Sequence, residues 1–400
     1  MKIVHVEDFF HPDAGYQLNI LPKYLQQFGH EQTILTAEMD KIPEQLTSFF
    51  GKENIPASDA AYTRQYGVKI VRLPLKGFVS GRAIFTRALY KAVEAEQPDV
   101  LFVHGNDSFA GIQLLYHHKR FHCAVVTDSH MLAMASRNRF SRYFRTFYKR
   151  IITPLLVKYK IPVIRTQNDN YVQDALGIPL SQAPWISYGS DTLLFHPDEK
   201  IKRAMRQENG IPDNAFVIVY AGKLEETKGA MLLAQGVEKK FRSKVPVVVL
   251  VVGKTVGEYG AEVEAIFRRS ENQVLRFPTQ KYENLNRFFQ CADLAVFPKQ
   301  CSLSFYDAQA CGLPVLSEDN NINVDRNSHG NGLCFAGGSV EDFRQKIQQI
   351  LDLPEDVYRQ MSQRAYEFIR QDYDYEQKAR EYEQILTEAW ERYAAGKKEK

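Results

Sequence analysis

The 400-residue chain carries 51 Lys and Arg against 48 Asp and Glu, for a formal net charge of +3, with 44% apolar and 25% charged residues. That length exceeds one ordinary core and suits two domains, and the apolar content can fill both. Near-balanced charge gives no support to a nucleic-acid partner, and no window approaches the roughly 18 to 20 apolar residues of a membrane span.

Five cysteines (Cys123, Cys291, Cys301, Cys311, Cys334) are odd in number and scattered, without the close pairs of a zinc or redox motif. A reducing, cytoplasmic setting fits them. The opening "MKIVHVEDFF" has too short an apolar run for a signal peptide and reads as a first β-strand.

Along the first half, "KIVHV", "EQTILTA", "VKIVRLP", "PDVLFVHG", "HCAVVTDS" and "IPVIRTQN" are strand candidates, with amphipathic helical patterns at residues 16–28 and 81–96 between them. The second half restarts with "AFVIVYAG", "PVVVLVVG", "NQVLRFP", "ADLAVFP" and "LPVLSE". Such βα alternation implies a parallel sheet covered by helices, so the expected fold is α/β with two doubly wound, Rossmann-like domains facing across a cleft. A polar stretch over 193–212 reads as the linker, and the chain after Leu351 reads as a solvated helix pair with a basic tail.

Open parallel sheets hold ligands beyond the carboxyl ends of their strands, so the loops that follow strands are the candidates. In "FFHPDAGYQLN", Gly15 precedes a helix and either admits a phosphate or sugar to backbone amides or makes an ordinary tight turn. In "AGKLEETKGAMLL", Lys223 and Lys228 can neutralise a diphosphate, although the Walker frame is missing and two lysines also suit a solvated loop. In "CSLSFYD", Ser302, Leu303 and Ser304 fall where a helix should begin, and Asp307 offers a carboxylate for the hydroxyls of a ribose. N-capping serines with a first-turn acid use the same residue types. His130, beyond "VVTDS", either meets a substrate or serves the structure. Asp128 and His130 lack a third clustered ligand, so no metal is expected.

Residues 136–160 interleave Arg and Lys with Phe, Tyr and Leu. On a helix this makes either a basic surface for anionic lipid or an ordinary face whose aromatics pack inward. The run lacks an RNA-binding motif.

Taken together these segments resemble the GT-B nucleotide-sugar glycosyltransferases, specifically retaining glycosyltransferase family 4 (group 1). "HPDAGYQLNILPKYLQQFGHEQTILTA" resembles the family's opening glycine loop, "ISYGSDTLLFHP" its signature before the linker, and "AGKLEETKGAMLLAQGV" its G-R-L-x-x-x-K-G segment. Lys223 stands where the family has arginine, Lys228 where it has lysine, and the two glutamates of its E-x7-E pattern fall on Lys299 and Asp307.

The resemblance implies an acceptor domain at 1–192, a donor domain at 213–375, and a C-terminal helix at 376–400 packing back on the first domain. It also implies retaining, metal-independent sugar transfer without a cofactor, from a UDP- or GDP-linked donor to a glycan or lipid-linked acceptor for the cell surface. Catalytic roles fall on His130, Lys223 and Lys228, and donor contacts on Gly15, Lys223, Lys228, Lys299, Ser302, Leu303, Ser304 and Asp307. Lysine at 299 departs from the family and keeps a catalytically silent nucleotide-sugar binder open, beside a sugar-nucleotide 2-epimerase. The expected location is the cytoplasm, at the inner face of the membrane if 136–160 binds lipid.

Overall fold

The structure is a computed structural model describing residues 1–43, 47, 51–79, 81–131 and 141–398. It divides into two compact units, unit 1 formed by Met1–Tyr188 with Glu376–Lys400 and unit 2 by Gly189–Tyr375.

Unit 1 is built on six parallel strands, β1 (Lys2–Val6), β2 (Glu31–Ala37), β3 (Lys69–Leu73), β6 (Val100–Val103), β7 (Ala124–Ser129) and β8 (Val163–Arg165), in the order β3-β2-β1-β6-β7-β8. A hairpin of β4 (Leu75–Val79) and β5 (Arg82–Phe85) stands beside them. Runs such as "VLFV" are buried on both faces, because helices cover both sides of a parallel sheet. A large cluster from Val4 and Leu35 through Val103 and Leu156 to Ile178 and a smaller one of Phe10, Leu18, Ile34, Tyr62 and Val68 are buried in the core of unit 1.

Unit 2 repeats the plan with β9 (Phe216–Ala221), β10 (Val247–Val252), β11 (Gln273–Phe277), β12 (Leu294–Phe297), β13 (Val315–Glu318) and β14 (Gly332–Phe335), in the order β11-β10-β9-β12-β13-β14. Every pairing is parallel. Both sheets therefore wind outward in two directions from a central pair, β1/β6 in unit 1 and β9/β12 in unit 2.

Three elements depart from the sequence reading. The pattern at 81–96 splits into β5 and a helix at Ala88–Glu96, because Gly81 at φ +76° turns the chain between two short apolar runs. The four-residue β14, "GLCF", lacks strand periodicity and was unread. The polar stretch at 193–212, read as the linker, carries a helix at Glu199–Glu208, which Asp198 caps by accepting from the Lys200 and Ile201 amides. Within that helix Arg206 is buried, donating to the carbonyls of Asp213, Ala215 and Cys291 and to the Asp293 carboxylate.

The chain closes with helices at Glu355–Asp372 and Tyr375–Lys398. The second is tied to unit 1, with Arg380 over the Phe28 ring and Glu383 accepting from His30 Nε2. All five cysteines are free, and among the described residues no helix is long and apolar enough to cross a membrane.

Candidate functional site

In unit 2 the loops leaving β9 and β12 lie side by side at the point where the strand order reverses, which is where doubly wound sheets bind ligands. The β9 loop carries Lys223 and Lys228 and ends at Gly229, whose φ is +73°. A Cβ there would come within 3.0 Å of Lys299 Cβ and 3.1 Å of Pro298 Cβ, so the glycine permits both the left-handed turn and the contact with the β12 loop. Lys299 Nζ reaches the Glu226 carbonyl at 3.4 Å. Burial, with the nearby Lys223 charge, lowers the Lys228 ammonium from its ordinary value, against the pull of Glu225. Three lysines thus stand at one edge of the sheet.

The β12 loop is held firmly. Gln300 adopts φ +63°, at a cost on the order of 1 kcal/mol for a residue with a side chain. Its amide donates to the Glu318 carboxylate, its carbonyl accepts from Asn323 Nδ2 at 3.1 Å, and Arg326 Nη1 donates to the Ser302 carbonyl at 3.1 Å. Ser302, Leu303 and Ser304 are half-buried, and the helix Ser304–Ala310 begins there with Leu303 at its cap position.

Asp307 lies deeper than an open ribose contact would. It is 5% exposed, and its Oδ1 accepts from Ser190 Oγ at 2.7 Å and Tyr282 Oη at 3.2 Å. Burial pushes its carboxyl up to about 7 despite those two hydrogen bonds. Its Oδ2 takes no hydrogen bond from the described residues.

Unit 1 places a chain of polar rings across the carboxyl ends of β1, β6 and β7. Gln32 Oε1 lies 2.8 Å from His5 Nε2, His5 Nδ1 lies 2.9 Å from His104 Nε2, and His104 Nδ1 lies 2.7 Å from Asp128 Oδ2. Asp128 Oδ1 meets His130 Nε2 at 2.9 Å and the Gly105 amide at 2.8 Å, and His130 Nδ1 continues to Tyr188 Oη at 2.6 Å.

Gln32 donates its amide to the His30 carbonyl, so its oxygen faces His5 and His5 donates Nε2–H. Burial, with the adjacent His104, lowers His5 to about 3, so it stays neutral. His104 Nδ1 donates to the Asp128 carboxylate, and its Nε2 faces His5 Nδ1. Burial alone would raise Asp128, but His130 and His104 hold its carboxyl well below the usual range. Burial would lower His130, yet Asp128, Tyr188 and Glu7 raise it well above its ordinary value.

The expectation of no third ligand beside Asp128 and His130 needs correcting, because the fold brings in His104 from the end of β6. The three ligating atoms lie within 4.8 Å of one another. Each nitrogen already donates to the carboxylate, so a cation would have to displace those protons.

His5, Gln32, Glu7, His104 and Tyr188 were missed in the sequence. The available signal was a histidine inside each of two otherwise apolar runs, "KIVHV" and "VLFVHG", since a buried imidazole needs a partner. Gly15 lies half-buried in the loop between β1 and a helix at Gln17–Gln27, on the same edge of the sheet as His130.

Of the basic stretch 136–160, residues 136–140 lie outside the described residues. The rest is a continuous helical run, Ser141–Phe147, a π-turn at Tyr148–Ile152, and Thr153–Tyr159. Tyr148, Ile152 and Leu156 are buried in the core, whereas Tyr143, Phe147 and Ile151, four residues apart, form an exposed stripe beside Arg142, Lys149 and Arg150. The aromatic Tyr148 therefore packs inward, while the basic residues and the stripe lie on the exposed face.

Residues 201–368 match the family described as "Glycosyl transferases group 1", and residues 19–157 match "Glycosyltransferase Family 4". The D-inositol 3-phosphate glycosyltransferase of Segniliparus rotundus is 28% identical over 176 residues, 42% of this chain and 38% of the relative. A second protein so named, from Catenulispora acidiphila, is 28% identical over 183 residues, 42% of each chain. The chain thus spans about two fifths of the length of the curated relatives it matches. Among solved structures, Anabaena HepE in complex with UDP and glucose matches at TM-score 0.72 and 16% identity, over 97% of this chain and all of that one. WaaG, a glycosyltransferase involved in lipopolysaccharide biosynthesis, matches at TM-score 0.65 and 14% identity, over 96% and 99%. With two six-stranded Rossmann-like units and a family match in each, the chain belongs to the GT-B glycosyltransferases of group 1, of the family 4 kind.

Proposed function

We propose that the protein transfers a sugar, with retention and without a metal, from a UDP- or GDP-linked donor to a glycan or lipid-linked acceptor in the synthesis of a surface glycoconjugate. The observation that carries this reading is the gathering of Lys223, Lys228 and Lys299 at the β9/β12 switch point. Cations there stabilise a departing diphosphate, which is the electrostatic task a metal performs in other transferases. Asp307 Oδ2 is the proposed ribose acceptor, and the Asp128-supported His130 is the group proposed to meet developing charge on the transferred sugar. That structures of this fold have been solved with UDP-glucose supports the donor class.

The stripe of Tyr143, Phe147 and Ile151 beside Arg142, Lys149 and Arg150 supports peripheral contact with an anionic membrane. The five unpaired thiols favour its cytoplasmic face.

Thermal stabilisation across UDP-, GDP-, ADP- and CMP-sugars, followed by product analysis with lipid-linked and inositol phosphate acceptors, tests the reading. A selective shift lost in Lys228→Ala, with acceptor-dependent product, supports transfer. Product without an acceptor would indicate an epimerase, and binding without product a silent binder.

A further inference from the structure

A basic cavity of 810 Å³ opens in unit 1 at the opposite end of the sheet from His130. Its walls are the residues just before β7, the end of the helix Thr153–Tyr159 just before β8, and the last turns of the C-terminal helix. The rise of a β-strand puts Ala124, in its wall, about 20 Å from His130 along β7. It is therefore distinct from the carboxyl-edge sites above.

Lys119, Lys160, Arg392 and Lys397 line this cavity together with His118 and His122, and no described residue of its lining is acidic. The contacts that hold the cations are neutral. Arg392 Nη1 donates to the Lys160 carbonyl at 3.0 Å, Lys397 Nζ donates to the His122 carbonyl at 3.2 Å, and Lys119 Nζ sits 4.8 Å from the centre of the Tyr159 ring. Capping carbonyls is a structural task, but each such bond uses one N–H of an arginine's five or a lysine's three and leaves the charge uncompensated. Four cations around one concavity repel each other, and an anion relieves that repulsion.

The remaining wall narrows the ligand class. His118 turns Nδ1 to the Leu115 carbonyl at 2.9 Å, and its Nε2 is buried with no hydrogen-bond partner. A neutral imidazole held this way accepts at Nε2, which suits a hydroxyl rather than another anion. Tyr159 and Tyr393 complete the wall, each ring carrying a lysine over its face, and the volume falls in the range that encloses a small organic ligand.

We propose that this cavity is a binding site for a phosphate ester of a polyhydroxyl compound, with Lys119, Lys160, Arg392 and Lys397 on the phosphate, and with the ester coming either from solution or from a lipid head group. Calorimetric titration of the full chain with glucose 1-phosphate, using glucose as control, and co-sedimentation with phosphatidylglycerol vesicles test it. Glucose 1-phosphate should bind and glucose should not. Affinity should fall at least tenfold in Lys119→Gln/Lys397→Gln and persist in Lys223→Gln/Lys228→Gln. Gly396 has open space where a side chain would start, so Gly396→Trp blocks the cavity without removing charge and should abolish binding. Vesicle retention lost in these same variants, without a response to glucose 1-phosphate, assigns the phosphate to a lipid head group. Absence of both signals, or binding unchanged in the double variant and in Gly396→Trp while their melting matches the parent, overturns the proposal.

Discussion

Asp128 holds His130 by a 2.9 Å contact from Oδ1 to Nε2, while its other oxygen is taken by a second imidazole, that of His104, at 2.7 Å. One fully buried carboxylate therefore orients a histidine whose side chain is still 32% exposed, and supports positive charge on it.

This pairing has a pH signature. Because His130 titrates above its unfolded value, its contribution to stability is fully present below about pH 6.5 and is lost as pH rises through the folded value. The melting midpoint of the parent should exceed that of His130→Gln in mildly acidic buffer, and the gap should close by roughly 2–4 °C on going to alkaline pH. Thermal melts of both proteins across that range check this; a constant gap would place His130 outside the ion pair.

His5 acts at one remove, through its 2.9 Å contact with His104 Nε2. His5→Leu leaves His104 Nε2 and Gln32 Oε1 without their partner, and should destabilise unit 1 by about 2–4 kcal/mol. Hydrogen exchange should show looser amides in β1 and β6, with those of β9 and β12 unchanged. Equal loosening in both units would argue against a local effect.

Asp307 predicts the opposite sign from an ion-paired acid. Its folded value near 7 lies above the unfolded one, so the folded state is favoured at low pH and loses stability as pH rises from about 4 to 7. Asp307→Asn keeps an acceptor for Ser190 and Tyr282 without a buried charge, and should stabilise unit 2 by on the order of 2 kcal/mol at pH 8 while flattening that pH dependence. Asp307→Ala strands both hydroxyls and should destabilise by about 1–3 kcal/mol. Chemical denaturation at pH 5 and pH 8 separates the outcomes.

Gly229 couples the lysine loop to the β12 loop. Gly229→Ala must force a left-handed residue with a Cβ 3.0 Å from its neighbour, costing on the order of 1–3 kcal/mol and shifting Lys228. Nucleotide diphosphate affinity should fall in this variant and, by about 10- to 100-fold, in Lys228→Ala, as expected for one lost charge-assisted hydrogen bond. Titration calorimetry with UDP and GDP reads both; unchanged affinity in Lys228→Ala would remove the lysine from the site.

Much of the fold was legible because fully buried parallel strands are written as continuous apolar runs, as in "VVVLVV" and "FVIVYA". The hairpin and β14 were not, since strands of four or five residues carry little periodicity. At the site, Lys223 and Lys228 were visible as a loop after a strand. The ring chain was not, because His5, Gln32, His104 and Asp128 are far apart in sequence and meet only through the pairing of β2, β1, β6 and β7. Asp307 was legible as a carboxylate for a ribose or a first-turn acid but not as a buried one, because spacing carries no information on depth; its hydroxyl partners Ser190 and Tyr282 come from distant segments.

Unit 1 is written in two pieces, with all of unit 2 between Tyr188 and Glu376. Where the two connections pass, the Ser190 amide donates to the Tyr373 carbonyl and the Tyr375 amide donates to the Ser190 carbonyl, each at 2.9 Å. On the ribosome, unit 2 therefore has every residue of its own before unit 1 has its last helix, and the first domain to begin emerging is the last to be completed. Until that helix arrives, the Phe28 and His30 surface it covers stays open to chaperones and to premature association.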